Sequence, residues 1–147
     1  MRAASLLLAA VVQLALLGGL ARADERVSVN DLRFDSPGDA EFDRGELALE
    51  HQELQWEYAA PWRLTVESLD TSLGVSDDGR YAKNVSDLQF KPSRNAEWVP
   101  MTNLPQVIAI GESGRGTLLL DWRVLLDWRR DRPGRYRTRL RFTISAR

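Results

Sequence analysis

Apolar and polar residues alternate most strictly near the end of the chain. Leu118, Leu120, Trp122, Val124, Leu126 and Trp128 fall on even numbers, with Asp121, Arg123, Asp127 and Arg129 between them. A period of two is that of a strand with one buried face. Asp131-Arg132-Pro133-Gly134 reads as a turn, because proline presets φ and glycine tolerates its positive range. A second run follows, with Tyr136, Thr138, Leu140, Phe142 and Ile144 on one face and Arg135, Arg137, Arg139 and Arg141 on the other. The two runs are expected to pair as an antiparallel hairpin. That register sets Trp128 opposite Tyr136, Val124 opposite Leu140 and Trp122 opposite Phe142, and on the outer face Asp127 opposite Arg137 and Arg123 against Arg141.

Upstream the alternation is shorter in range. Val27 and Val29, then Leu32 and Phe34, change parity near Asn30-Asp31, which marks a bulge or a strand end. Leu47 and Leu49, then Leu54, Trp56 and Tyr58, form two more alternating runs. Glu46–Tyr58 is also rich in helix formers, and Leu47, His51, Leu54 and Tyr58 would share a helical face, so strand and helix both stay open, with strand preferred. Trp62, Leu64 and Val66 begin another strand after Ala60-Pro61. Ser76-Asp77-Asp78-Gly79 is a turn, Tyr81 to Phe90 carries a strand, and Trp98 to Met101 and Gln106 to Ile110 are short apolar pieces. Short strands separated by turns predict one all-β domain, an antiparallel immunoglobulin-like β-sandwich of about seven to eight strands.

The beginning of the chain has a different pattern. Arg2 precedes an apolar run from Leu6 to Leu17 broken only by Gln13, and Ala21-Arg22-Ala23 supplies small residues for a peptidase. Residues 1–23 therefore read as a signal peptide and 24–147 as the sandwich, with no membrane span in the mature chain. The product is expected to be exported, to the periplasm, the cell surface or the outside.

Charge becomes informative only once that leader is set aside. The 147 residues carry 20 basic and 21 acidic side chains; without Arg2 and Arg22 the balance is 18 against 21, a net of −3. Asp24 to Asp78 holds 4 basic and 15 acidic residues, a net of −11, whereas Gly79 to Arg147 holds 14 and 6, a net of +8. Opposite halves either neutralise one another in the fold or leave an interaction surface. The arginine ladder, Arg135, Arg137, Arg139 and Arg141, is the most distinctive part of that surface. Its guanidinium forks suit carboxylates or phosphates unless acids of the same chain answer them. Export and a net negative charge argue against nucleic acid.

Catalytic chemistry finds little support. The chain has no cysteine and one histidine, His51, which excludes thiol nucleophiles, thiolate metal sites and His-rich metal centres. Gly111 to Gly116 lacks the lysine of a phosphate loop and reads as a turn. No enzyme and no cofactor is expected. The best ion candidate is a calcium-like spacing of Asp39, Glu41 and Asp43 with Glu50, opposed by Arg44 and a glycine one place late at Gly45; a solvated acidic loop is the plainer reading. Of the five tryptophans, Trp56, Trp62, Trp122 and Trp128 alternate with other apolar residues and read as core. Trp98, beside Pro100, reads as the exposed one.

An exported sandwich with Trp62-Arg63-Leu64 midway, and Pro133-Gly134-Arg135-Tyr136 leading into Phe142-Thr143-Ile144, resembles bacterial cell-surface sandwich modules. WxL-type wall-binding domains and fimbrial subunits are the nearest families. The likeness covers the mature chain as architecture. It departs at Trp122-Arg123-Val124, where a second W-x-L would stand, and in lacking the disulfide of many pilins. The resemblance implies a secreted or surface-exposed, non-enzymatic module for partner binding or fimbrial-type assembly, its partner a protein or a second copy, with strand addition as one route. The alternative is a module for anionic polysaccharide using Trp98 and the arginines.

Overall fold

The structure, a computed structural model, describes residues 6–14, 26–92 and 97–147. Twelve strands account for most of it: β1 (Leu6–Leu14), β2 (Arg26–Val29), β3 (Leu32–Phe34), β4 (Glu46–Tyr58), β5 (Trp62–Ser68), β6 (Ser72–Val75), β7 (Ala82–Asn84), β8 (Leu88–Pro92), β9 (Val99–Pro100), β10 (Gln106–Gly111), β11 (Gly114–Leu125) and β12 (Gly134–Ala146). One short helix, α1 (Asp39–Arg44), and a 3-10 turn at Val85–Asp87 complete it. Among the described residues no helix is long and apolar enough to cross a membrane.

The fold is an all-β sandwich. One sheet has the order β10-β5-β12-β1-β3, the other β2-β4-β11-β8-β9, and β6-β7 form a separate ribbon. The strand count exceeds seven to eight because several pieces, such as β3 and β9, are only two or three residues long. Pairing is antiparallel throughout except that β1 runs parallel to β12, Leu6 to Leu14 matching Gly134 to Phe142. The expected leader, residues 1–23, overlaps β1, and its expected cleavage point after Ala23 lies outside the described residues.

The expected terminal hairpin does not form. β11 pairs with β4 and β8, while β12 pairs with β5 and β1, so the two strands lie in different sheets. Their parity is as expected, since Trp122, Val124, Leu126, Tyr136, Thr138, Leu140, Phe142 and Ile144 are all buried. Two strands with large apolar inner faces satisfy that pattern equally well by meeting across the core, where sheets stand about 10 Å apart. Eight residues, Leu126 to Pro133, are long enough for that crossing. The even-numbered run ends before Trp128, which is 45% exposed. Its ring stacks on Phe42 of α1 at 4.4 Å, and its indole N–H donates to Asp43 Oδ1.

Glu46–Tyr58 is one strand, and its change of parity has a local cause. Leu120 pairs with Gln52 and Trp122 with Leu49, so Glu50 and His51 together face the single residue Asp121. This is a β-bulge. His51 takes φ of 64°, unusual outside glycine, and its backbone N–H donates to Asp121 Oδ1 at 3.0 Å. The parity change after Val29 is likewise a strand end: β2 joins the β4 sheet and β3 the β1 sheet.

Two glycines set the opposite corner, where β4 passes to β5 and β10 to β11. Gly116 pairs with Trp56 and Gly111 with Trp62, and each indole lies flat over its glycine. The two rings meet edge to face at 4.9 Å. A Cβ at residue 116 would run into Trp56 Cζ2, so no other residue fits without moving the ring. Gly116→Ala should therefore lose about 1–3 kcal/mol in urea denaturation, whereas Thr117→Ala next to it should stay close to wild type.

Candidate functional site

The outer face of β12 carries the four arginines, and the fold divides them into two pairs. Arg139 and Arg141 lie beside the acidic end of β5 and the residues after it. Arg139 Nη2 sits 2.8 Å from Asp70 Oδ1, with its Nε and backbone N–H both donating to Asp70 Oδ2. Arg141 Nη2 is 2.6 Å from Glu67 Oε1. The Arg139 guanidinium holds the Asp70 carboxyl below its ordinary range, against a smaller opposing effect of burial. Asp70 in turn raises Arg139. Arg115–Glu57 and Arg123–Glu46 are further pairs between the basic second half and the acidic first half. Folding the halves together thus answers much of the charge asymmetry.

Arg135 and Arg137 are exposed and make no ion pair among the described residues. They lie where β12 has lost β5, whose register reaches only from Leu140 to Ala146. The stretch Gly134 to Arg139 is bonded instead to β1, and β3 pairs with the far side of β1. β1 thus occupies a strand position between β12 and β3. Asp70, Arg137, Thr138 and Arg139 line a shallow recess of about 260 Å3 between β12 and the residues that follow β5. A larger open recess, about 580 Å3, lies across the molecule at Ser28, Glu57, Arg115 and Thr117, with Trp56 and Gly116 in its wall. The Trp56 indole N–H is buried there without a hydrogen-bond partner among the described residues.

Trp98 does not join the arginine ladder. It is half-buried on the other sheet, with Lys91 Nζ 4.8 Å and Arg123 Cζ 4.6 Å from its ring centre. Two acids of the calcium-like segment, Glu41 and Asp43, have partners within the chain. Glu41 accepts from the Gly38 N–H at 2.9 Å and pairs with Arg44, which lowers its carboxyl pKa, and Asp43 accepts from Trp128. No cluster of three His, Cys, Asp or Glu able to hold a metal occurs among the described residues. His51 is largely exposed, its Nδ1 lying 3.4 Å from Asp121 Oδ1 at the bulge.

The most concentrated chemistry was not visible as a motif. Lys83 of β7 and Asp131 of the β11–β12 crossing are both fully withdrawn from solvent, with Nζ 2.7 Å from Oδ2. Asp87 Oδ2 is 3.3 Å from the same Nζ and 2.9 Å from Arg130 Nη2. The Tyr81 hydroxyl donates to Asp131 Oδ1 at 2.8 Å, and the Asp127 N–H to Oδ2 at 3.0 Å. Burial, then the bond to Asp131, pushes the Tyr81 phenol far above its usual range. Burial also raises Tyr136, to about 12, with the Asp131 charge adding to it. The sequence does hold one signal: Lys83 stands at the inward register position between Tyr81 and Val85, where an apolar residue is the rule.

No family model matches the chain, and no curated protein matches it.

Asp70 supplies a test by pH. Its folded pKa lies below the unfolded value of about 3.9, so the pair adds stability that is present above that value and lost as pH falls through the folded one. Asp70→Asn should be less stable than wild type at neutral pH in thermal denaturation. The gap should narrow below about pH 4 as the wild-type carboxyl protonates.

Proposed function

We propose that the protein is an exported, non-enzymatic, immunoglobulin-like β-sandwich that binds a protein partner or a second copy of itself by strand addition along β12. The observation that carries this reading is the strand position between β12 and β3. It is held by Leu6–Leu14, part of the segment whose composition reads as a cleavable leader. Loss of that segment removes the strand paired with Gly134 to Arg139 on one edge and, among the described residues, the strand paired with β3, while β6 and the Leu69 and Asp70 segment stay against the other edge. Unpaired backbone donors and acceptors along an edge are a template for another strand.

The flanking side chains describe the incoming strand. Apolar residues must alternate so as to cover Tyr136, Leu140 and Phe142, and acids on the opposite face would meet Arg135 and Arg137, which make no ion pair among the described residues. Fimbrial-type or other surface assembly would follow from repeating that contact head to tail. Anionic polysaccharide is the weaker reading, because the Trp98 ring that would stack on a sugar is already covered by Lys91 and Arg123.

The test is made on the chain recovered after export, with its N-terminus defined by mass. Sedimentation should show concentration-dependent association, reversed by a peptide carrying residues 6–14 between charged flanks and weakened in Arg135→Glu/Arg137→Glu. A recovered chain that keeps residues 6–14, or one that stays monomeric in low salt and ignores the peptide, would contradict the reading.

A further inference from the structure

The Lys83 site is more than an ion pair can readily explain. Each ion removed from water costs several kcal/mol, which attraction repays only in good geometry, and here both partners are fully buried. The cluster holds two cations, Lys83 and Arg130, and two anions, Asp87 and Asp131. Joining Lys83 to Asp131 removes one charge of each sign. It leaves Arg130 against Asp87 at 2.9 Å, so no charge is orphaned.

We propose that Lys83 Nζ and Asp131 Cγ condense into an intramolecular amide. The reacting groups are held at contact, Nζ lying 2.7 Å from Asp131 Oδ2, so that condensation is unimolecular and oriented. Asp87, 3.3 Å from the same nitrogen, is the proton carrier. It takes a proton from the Lys83 ammonium and delivers it to the Asp131 carboxylate, which makes a neutral amine beside a neutral carboxylic acid. Nζ then attacks Cγ. The Tyr81 hydroxyl, 2.8 Å from Oδ1, stabilises the oxygen that gains charge. Asp87 accepts the second N–H proton and passes it to the departing hydroxyl. The Nζ–Cγ bond forms, the Cγ–OH bond breaks, one water leaves, and Asp87 is again ionised against Arg130. No oxidant, reductant or cofactor is consumed. The product closes a loop between residues 83 and 131, 48 positions apart, in a chain without cysteine.

The measurement is the intact mass of the recovered protein under denaturing conditions, with both termini defined by peptide mapping. The expected mass is that of the sequence less one water. Trypsin should fail to cut after Lys83 and should release a branched peptide joining the Tyr81 segment to the Pro133 segment. Lys83→Met and Asp87→Asn should both keep the full mass. A wild-type chain of full mass, with Lys83 and Asp131 in separate linear peptides, would overturn the proposal. That reading needs no variant to fold, since it is taken on the denatured wild-type chain. An Asp87→Asn protein that still loses the water would overturn the role given to Asp87.

Discussion

Asp131 must have its charge answered where the chain turns from one sheet to the other, and it is answered entirely from within. Lys83, Tyr81 and the Asp127 amide all bond its two oxygens, and none of the carboxylate touches solvent. Removing one partner of such a pair typically costs about 3–5 kcal/mol, because it leaves the other charge buried alone. The same bonds tie Leu126–Pro133 to the β6–β7 ribbon, where the Asp77 N–H also donates to the Pro133 carbonyl. From that anchored loop β11 runs back through one sheet and β12 through the other, their apolar faces meeting inside. The position of the arginine edge, and of the strand beside it, follows from that crossing.

The period of two identified the buried faces of β11 and β12 but carried no information on which strands are neighbours. Val124 opposite Leu140 is an equally good apolar contact across a core or along a hairpin, and parity alone does not distinguish the two. Glu46–Tyr58 was ambiguous for a more local reason. A bulge at His51 shifts the alternation by one, so Leu47 and Leu49 fall out of phase with Leu54, Trp56 and Tyr58 and imitate helical spacing. Trp128 looked like core because the alternation runs past the end of β11. Burial of Trp56 and Trp62 was legible from spacing, but their seats on Gly116 and Gly111 were not, since glycines beside a turn read as turn residues.

The candidate site was partly legible. Four arginines on one strand face stood out, and all four are on the outer side of β12. Which two are spoken for depends on Asp70 and Glu67, residues some 70 positions away, brought alongside by pairing of β5 with β12. Four ion pairs join the opposite-signed halves, and Arg135 and Arg137 remain beside the strand position that β1 holds. The Lys83 cluster eluded motif reading because its members are spread over a strand, a 3-10 turn and a loop. Only the inward register of a lysine betrayed it.

Placement of β11 and β12 in separate sheets is the claim on which the edge and the buried cluster both rest, and disulfide trapping tests it cleanly in a chain without native cysteine. Arg123 is the register partner of Gln89 on β8, whereas Arg141 lies on the outer face of the other sheet, beside Glu67. Under mild oxidation, Gln89→Cys/Arg123→Cys should close to a disulfide, and Arg123→Cys/Arg141→Cys should keep both thiols free. Ready closure of the second pair, with the first remaining reduced, would restore the hairpin and contradict the account.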